Sequence, residues 1–457
     1  MKNCKAQLLF LALSSLLMAQ PLQAQSQTLF ENALVINGLG AQFNADVLIE
    51  SDIIVAVGDA ADFDLSPDIS RLDLAGKILI PAMIDAHAHL GYQSTSAWGA
   101  DNYSRENLIA NLRQYAYYGF AAVFSAGSDP EDLALALQAE QHSNAELVDS
   151  ARFLFAAGMG PPGQGPNNQF LEQTAVVSER EGMTILRGLS SPQQAVLQVE
   201  EVAAKGIPFI KIWVDDRGGS QDKLSAGIYS ALTGAANDLG IKVFVHQQYP
   251  ADMLPLLDAG VSGFLHGRLG PALGEEIAAA MAEAGAFVVP NLGLGELRRE
   301  TIGRDVFLQA LLPADVAARL SEVSGQRSMA PAINTESEQD LRISMSHLLD
   351  AGADIVLGTD AGALPDHPFG YTGHRELEIF VRLGMSPMQA LVAATGNAAS
   401  RLGQDDLGVI ETGRKASFIV LDANPLEDIR NTRSINAVYL NGRRVNRTAI
   451  AASLRND

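Results

Sequence analysis

The sequence predicts an α/β protein in which a (β/α)8 TIM barrel carries a small β-sandwich domain formed from both ends of the chain. Three observations favour this class. Eight strand-like runs alternate with helix-like runs through the centre of the chain, and β-rich segments flank that centre on both sides. A length of 457 residues with 47% hydrophobic side chains is enough for one large barrel and a smaller domain.

Residues 1–24 are predicted to be an export signal. Lys2 and Lys5 give a positively charged beginning, an apolar run extends from Leu8 to Ala19, and Ala24 provides a small residue for cleavage. The apolar run is shorter than the roughly 20 residues that a membrane span needs. We therefore expect a periplasmic or secreted protein.

The composition of the mature chain supports this expectation. The single cysteine, Cys4, lies within the signal, so cleavage of the signal leaves a chain without cysteine. Disulfides and thiol catalysis are then excluded, and such a chain suits an oxidising compartment. Removal of Lys2 and Lys5 leaves 30 basic against 53 acidic residues, a formal charge of −23. Nucleic acid and anionic membranes are therefore poor partners, whereas a small-molecule or dipeptide substrate is compatible. Self-association into a homo-oligomer stays open.

Two β-rich segments, residues 28–80 and 405–450, are predicted to combine into one β-sandwich domain. The first contains NALVING, ADVLIESDIIVAVG and RLDLAGKILI, and the second contains ASFIVLD and INAVYLNGRRV. The Asn441-Gly442 pair is typical of a type I′ hairpin turn. Neither segment alone is large enough for an independent sheet domain, so we expect the two to pair.

Residues 81–404 are predicted to form the barrel. Most of its strand-like runs are continuously apolar, as expected for parallel strands covered on both faces. The runs are MIDAHAHL (83–90), AAVFSAG (121–127), ARFLFAAG (151–158), PFIKIWV (208–214), KVFVHQ (242–247), GFLHG (263–267), AFVVPNL (286–292) and DIVLGTD (354–360). Loops that follow strands lie on the catalytic face of such a barrel. The long segments after the third and seventh runs are therefore expected to form substrate walls.

Polar side chains lie near the carboxyl ends of five of these strands. The run IDAHAHL places Asp85, His87 and His89 on one face, because alternate residues of a strand point the same way. The other polar residues are Lys211 in FIKIWV, His246 in VFVH, His266 in FLHG and Asp360 in VLGTD. One histidine at a strand end is usually an ordinary core residue, and a lone aspartate there could cap a turn. The whole set at one barrel mouth predicts a metal centre.

These motifs, in this order, resemble those of the amidohydrolase superfamily of metal-dependent hydrolases. The likeness rests on IDAHAHL, IKIWVDD, VFVH, FLHG and GTDAG, and it extends from about Leu29 to Val445. The stretches IKIWVDDRGG, GHRELEIFVRLGMSP and GVIETGRKASFIVLDANPLEDI are most similar to the prolidase-like and imidazolonepropionase-related branch. The resemblance implies a barrel with a split β-sandwich and an enzyme that hydrolyses carbon–nitrogen bonds.

The resemblance also implies two divalent metal ions bridged by a carboxylated lysine. Burial between Ile210 and Ile212 favours the neutral amine of Lys211 that N6-carboxylation requires. The implied ligands are His87, His89, Lys211 and Asp360 for the more buried ion, and Lys211, His246 and His266 for the other. Zn²⁺ suits these ligands best, with Mn²⁺, Fe²⁺ or Co²⁺ as alternatives. A hydroxide bridging the ions would attack the amide carbonyl, with Asp360 as the catalytic proton carrier.

Other polar residues are weaker candidates. Those for substrate binding are Tyr249, Arg217, Arg268 and His374. Relatives that cleave dipeptides often have a tyrosine two residues after the strand-five histidine, whereas Tyr249 is three residues after His246. Either arginine could bind a substrate carboxylate or make a surface ion pair. Asp85 could support His87 or make an ordinary strand-end hydrogen bond, and His367 has no assigned role.

The leading functional hypothesis is a hydrolase of a dipeptide, Xaa-Pro or similar, or of an N-acyl amino acid. A cyclic-amide, lactone or organophosphate hydrolase on the same site is the first alternative, because the attack chemistry is shared. A deaminase is disfavoured, since deaminases of this superfamily usually keep one metal and lack the bridging lysine. A non-catalytic metal-binding barrel is the second alternative, against which the intact ligand set argues.

Overall fold

The structure, a computed structural model, describes residues 27–143, 147–266, 272–323, 327–328 and 335–455. The predicted signal, with Cys4, lies outside these residues. Within them the chain forms one sheet from its two ends and a ring of parallel strands with helices between them. The predicted α/β class is confirmed. Among the described helices, none combines the length and apolar character needed to cross a bilayer.

The two ends of the chain share one sheet. Its strands are β1 (Gln27–Ile36), β2 (Gln42–Glu50), β3 (Ile53–Gly58), β4 (Ser70–Asp73), β5 (Ile78–Pro81), β16 (Phe418–Leu421), β17 (Ile435–Leu440) and β18 (Arg443–Arg444). β5 pairs in parallel with β1 and antiparallel with β16, so it joins the two ends. Side chains from both ends, among them Phe30, Val47, Phe418 and Val420, form a separate apolar cluster. These eight strands are linked by hydrogen bonds into one sheet, so the two end segments pair with each other.

The hairpin between β17 and β18 has the predicted turn. Leu440 pairs with Arg443, and the two residues between them, Asn441 and Gly442, have φ angles of 48° and 75°. Both positive angles are those that a type I′ turn requires. A side chain at Gly442 would also collide with the Ser51 carbonyl, because a Cβ there would lie 1.9 Å from that oxygen.

The central strands follow one another in parallel. They are β6 (Met83–Ala88), β7 (Phe120–Ser125), β8 (Arg152–Phe155), β9 (Ala157–Gly160), β10 (Leu186–Gly188), β11 (Phe209–Val214), β12 (Lys242–Gln247), β13 (Gly263–Leu265), β14 (Phe287–Val289) and β15 (Asp354–Ile355). β6, β7 and β8 form one sheet, and β9, β11, β12, β13, β14 and β15 follow in order in another. β8 and β9 are consecutive parts of one run, so the two sheets are continuous through it. β10 pairs with β9 and was not predicted, because three residues carry no periodicity.

Backbone hydrogen bonds join the last run of this series to the first. Ala86 N donates to Leu357 O at 2.9 Å, and His89 N donates to Ala361 O at 2.7 Å. Ala88 and Ala361 form a parallel bridge. The described strands therefore return to their starting point, and all eight predicted strand runs contribute to this ring.

An apolar layer of four phenylalanines crosses the ring. It consists of Phe124, Phe209, Phe244 and Phe287, with ring centroids 5.2–5.5 Å apart for each contacting pair. The alternation of a strand places Lys211 and His246 two residues beyond Phe209 and Phe244, on the same face. The layer therefore excludes water from one side of these polar groups.

Helices connect the strands. Their bounds are α1 (Arg105–Tyr117), α2 (Glu131–Ser143), α3 (Asn168–Glu181), α4 (Pro192–Ala204), α5 (Ala226–Asp238), α6 (Pro250–Asp258), α7 (Glu275–Ala284), α8 (Gly293–Leu297), α9 (Val306–Gln309), α10 (Ala314–Ser321), α11 (Thr335–Ala351), α12 (Tyr371–Leu383), α13 (Pro387–Ala394), α14 (Gly396–Arg401) and α15 (Arg447–Leu454). Short 3₁₀ segments are Ala60–Asp62, Ala100–Asn102, Ile302–Arg304 and Ile429–Arg433. The long segment after β14 holds α8, α9, α10 and α11, where the sequence predicted an insertion.

Candidate metal centre

The six predicted ligands lie at the carboxyl ends of strands in the ring. His87 is in β6, Lys211 is in β11 and His246 is in β12, while His266 follows β13 and Asp360 lies five residues after β15. His89 comes one residue after β6. His266 and Asp360 have φ angles of 69° and 58°, a left-handed backbone that is uncommon for residues other than glycine. Such strained residues persist where the surrounding structure holds them for a purpose, often at functional sites.

Asp360 lies at the centre of three imidazoles. Its Oδ1 is 3.4 Å from His87 Nε2 and 3.2 Å from His89 Nε2, and its Oδ2 is 3.3 Å from His266 Nε2. One ligand atom from each of His87, His89 and Asp360 lies within 4.8 Å of the others, a spacing that suits a metal ion. Imidazole nitrogens and a carboxylate are suitable ligands for a divalent cation.

Lys211 lies beside this group. Only 1% of it is exposed, and its Nζ has no hydrogen-bond partner among the described residues. Burial holds the pKa of Lys211 well below the usual range, although the charge of Asp360 acts in the opposite direction. The amine is thus held in a setting that favours its neutral form.

His246 is oriented by a carboxylate that sequence reasoning missed. Its Nε2 is 3.0 Å from Asp215 Oδ2, so Nδ1 is the nitrogen left for a ligand role. Asp215 Oδ1 also accepts from Arg217 N at 2.9 Å, and its Oδ2 is 3.0 Å from Arg217 Nη1. The available signal was the position of Asp215 directly after the β11 strand in IKIWVDD.

Asp85, whose role the sequence left open, joins β6 to the chain after β15. Its Oδ1 accepts from the backbone N–H groups of His87 and Thr359 at 3.1 Å each. Its Oδ2 accepts from the hydroxyls of Thr359 and Tyr115 at 2.7 Å each. Burial raises the pKa of Asp85 to about 6, against the effect of these four donors. Asp85 therefore holds the backbone at His87 and at Thr359, the residue directly before Asp360.

The remaining ring nitrogens of the first two histidines have hydrogen-bond partners. His87 Nδ1 is 3.0 Å from Asn291 Oδ1, and His89 Nδ1 is 2.8 Å from Ser128 Oγ. Each contact leaves Nε2 directed toward Asp360. Asn291 and Ser128 were not recognised from the sequence, since each lies in a different strand-end loop from its histidine.

The protonation states fit a cation site. Burial holds the pKa values of His87 and His246 well below the usual range and lowers that of His266 to about 4. Burial alone would raise the pKa of Asp360, but His266, His87 and His89 hold it well below its ordinary value. His87 Nε2 and Asp360 Oδ1, like Lys211 Nζ, have no hydrogen-bond partner in the described chain. Neutral imidazoles, an ionised carboxylate and unpartnered buried atoms together suit divalent metal ions.

A cavity of about 220 Å³ opens over these residues. Its apolar walls include Phe170, Trp213, Leu294 and Leu364, and its polar lining includes Asn167, Gln248 and Arg217. Asn167 and Phe170 come from the segment after β9, which was predicted to form a substrate wall. The segment after β14 supplies Leu294 to this cavity, while its α10 lines a neighbouring one.

The four weaker candidates for substrate binding have different positions. Arg217 lines the cavity, but its Nη1 faces Asp215 and its Nη2 donates to Gly165 O at 2.9 Å. Tyr249 is outside the described lining, and its hydroxyl donates to Asp216 Oδ1 at 3.1 Å. Arg268 lies outside the described residues.

The structure corrects the prediction for His374. The residue is fully buried, with Nδ1 3.0 Å from Thr432 Oγ1 and Nε2 2.8 Å from Tyr118 O. Both ring nitrogens are therefore engaged within the protein, away from the described cavity lining. His367, which had no assigned role, is also buried, and its Nε2 is 3.0 Å from Thr359 O.

The chain is similar in sequence and in fold to known proteins. Residues 232–445 match the model of the amidohydrolase family. The chain is 24% identical over 425 residues to an imidazolonepropionase of Streptomyces griseus, which covers 89% of this chain and 94% of the relative. Its fold is similar to that of a putative prolidase from Bifidobacterium longum, with a TM-score of 0.69, 23% identity and coverage of 94% and 99% of the two chains. Its fold is also similar to that of molinate hydrolase, with a TM-score of 0.71, 20% identity and coverage of 93% of this chain and 96% of the other.

Proposed function

Because the chain belongs to the amidohydrolase superfamily and is a metal-dependent hydrolase of carbon–nitrogen bonds, we propose that it is an exported binuclear enzyme that cleaves a dipeptide or an N-acyl amino acid. The dipeptide would be Xaa-Pro or similar. The single observation that supports two ions rather than one concerns Lys211. Its buried amine has no hydrogen-bond partner among the described residues and lies beside the His87, His89 and Asp360 group. Without a ligand there, the amine of Lys211 would lose its hydration on burial and gain no hydrogen bond in exchange.

The residues of the site divide naturally between two ions. We assign His87, His89 and Asp360 to one ion, His246 and His266 to the other, and N6-carboxylated Lys211 to both. Carboxylation turns the amine into an anion, which would give the buried Lys211 side chain the ions as partners. Zn²⁺ is the ion that this set of ligands favours. Bound divalent ions supply Lewis acidity toward a carbonyl oxygen and toward water.

The protein's own residues would move the proton and hold the substrate. Asp360 would take a proton at a carboxylate oxygen and pass it to the leaving amine, a role worth about 10²–10⁴-fold in rate. Phe170 and Trp213 would pack against the substrate side chain and exclude water. Arg217, with one guanidinium nitrogen still unpartnered, provides positive charge beside the cavity for a substrate carboxylate.

The wider assignments rest on the sequence and on the ring of strands. The (β/α)8 barrel typical of the superfamily accounts for the order of the strands and their closure. Export to the periplasm or beyond accords with the predicted signal and with a mature chain that lacks cysteine. A cyclic amide is the second candidate substrate, because the imidazolonepropionase likeness covers most of the chain.

Metal analysis and a substrate screen test the proposal. The purified protein should contain about two ions per chain, and the metal-loaded enzyme should hydrolyse members of a dipeptide and N-acyl amino acid library. Lys211→Ala should lose both metal and activity, and added short carboxylates should restore part of each. Lys223→Ala is the matched control, because Lys223 is on the surface with Asp252.

The outcomes separate the alternatives. Full activity and two ions in Lys211→Ala would rule out the bridging lysine. A folded protein without metal affinity would overturn the enzymatic proposal, and activity confined to cyclic amides would replace the dipeptide assignment.

A further inference from the structure

Glu376 is a buried carboxyl group that the proposed chemistry does not use. It lies on α12 with no exposed surface. Its Oε1 accepts from Leu292 N at 2.7 Å, and its Oε2 accepts from Gly293 N at 2.6 Å. A buried carboxyl group carries a large desolvation cost, so its presence calls for a reason.

The two N–H groups belong to the turn directly after Asn291. Asn291 has a φ angle of 52°, a left-handed backbone that asparagine tolerates better than most residues. The turn approaches Glu376 closely, since a Cβ at Gly293 would lie 2.9 Å from Oε2. Glu376 thus holds the backbone on the far side of Asn291 with two hydrogen bonds.

Asn291 in turn contacts a residue of the metal centre. Its Oδ1 is 3.0 Å from His87 Nδ1, on the opposite side of the ring from the Nε2 that faces Asp360. An amide oxygen only accepts hydrogen bonds, so this contact requires the proton on Nδ1. His87 Nε2 then keeps the lone pair that a metal ligand needs.

The second histidine of the same strand is held differently. His89 Nδ1 contacts Ser128 Oγ, and a hydroxyl can either donate or accept. That contact orients the imidazole without deciding its tautomer. Of the two histidines in this segment, only His87 has its tautomer set by such a contact.

We propose that Glu376 is a positioning residue for the metal centre. By holding the turn at Leu292 and Gly293, it keeps Asn291 Oδ1 against His87 Nδ1 and fixes His87 in the tautomer that presents Nε2 to an ion. Glu376 itself touches neither an ion nor a substrate in this scheme. The inference rests on the proposed function, because it assigns His87 as a metal ligand.

Two measurements on four variants test this chain of contacts. Zn²⁺ affinity is measured by competition with a chelator, and the His87 tautomer is read from ring ¹⁵N shifts in the metal-free protein. Asn291→Leu removes the acceptor and should weaken Zn²⁺ binding about 10–100-fold, whereas Asn291→Asp keeps an acceptor and should bind within about threefold of the natural chain. Glu376→Gln sets an NH₂ group against a backbone N–H and should weaken binding on the order of 10-fold.

Glu378→Gln is the matched control. Glu378 lies on the same helix and pairs with Arg375 and Arg433, so its change perturbs α12 without touching the turn. It should leave both readouts unchanged. If Glu376→Gln keeps natural Zn²⁺ affinity and the Nδ1–H signal of His87, the proposal is overturned.

The design also protects against two complications. If Asn291→Leu does not fold, the comparison of Asn291→Asp with Glu376→Gln still decides. If the natural chain binds no Zn²⁺, the proposed function fails, whereas the tautomer measurement on metal-free protein still judges the positioning role.

Discussion

Two clusters of buried ionisable side chains differ in how completely their polar atoms are hydrogen-bonded. In one, Arg187 makes two hydrogen bonds to Glu131, at 2.7 and 2.8 Å, and Lys205 adds an ion pair at 2.9 Å. In the other, His87 Nε2, Lys211 Nζ and Asp360 Oδ1 are buried without a hydrogen-bond partner among the described residues, although the imidazole and the carboxylate lie 3.4 Å apart. Folded chains pair nearly all buried polar groups. The unpaired cluster therefore indicates a ligand, while the paired cluster indicates a structural role.

The largest expected effect tests the paired cluster. Glu131→Gln removes the buried charge that faces Arg187, whose side chain is only 7% exposed and keeps an ion pair with the exposed Glu201. Breaking a buried pair from one side costs about 3–5 kcal/mol, because the other charge stays buried. Urea unfolding should show a loss of this size, while the metal content of the folded protein should not change. A loss below about 1 kcal/mol would place this pair with surface ion pairs.

In the cluster of the metal site, a substitution is expected to raise the free energy of unfolding rather than lower it. Lys211→Met replaces a buried amine without a hydrogen-bond partner by an apolar side chain of similar length. An unsatisfied buried polar group costs about 1–3 kcal/mol, so the metal-free variant should be more stable than the metal-free natural chain by about that amount. The comparison is made by urea unfolding after chelation. Equal or lower stability would show that Lys211 already has a stabilising environment without an ion.

The sequence predicted the residues of the metal site but not the residues that position them. His87, Lys211 and Asp360 each lie in a short motif at a strand end, and the parallel strands bring those ends together. Asn291 and Glu376 carry no such local signal, because their roles depend on contacts 204 and 83 or more residues away. Their function follows from packing between a loop and a helix, which a single sequence does not display.

The error at His374 has the same physical origin. His374 was placed in the cavity because it follows the last strand. Instead it faces Thr432, near the C-terminal part of the chain, with Tyr118 on the other side of its imidazole. The strand order was predictable from apolar runs, but the direction of a helical side chain depends on which neighbour covers it. The pairing of the two chain ends was predicted because neither segment is large enough alone, although the register between β5 and β16 is not encoded locally.

The remaining expected effect concerns Glu376, which differs from both clusters because its hydrogen bonds come from backbone N–H groups. Burial raises its pKa from 4.5 to about 8, despite the bonds from Gly293 and Leu292, and the charges of Glu296 and Asp85 add to the rise. A raised folded-state pKa means that the folded chain binds the proton more tightly than the unfolded chain. The stability from this group is therefore complete below about pH 4.5 and is lost as the pH rises through about 8.

The difference between the natural chain and Glu376→Gln isolates this dependence, because other titrating groups are shared by both proteins. The unfolding free energy of the metal-free natural chain should fall relative to that of the variant by up to about 1.4 kcal/mol per pH unit between pH 5.5 and 7.5. Urea unfolding at both pH values gives the difference. A difference that is flat or rises with pH would mean that the two backbone donors outweigh burial. Glu376 would then resemble Glu131, because hydrogen bonds within the fold would stabilise its carboxylate.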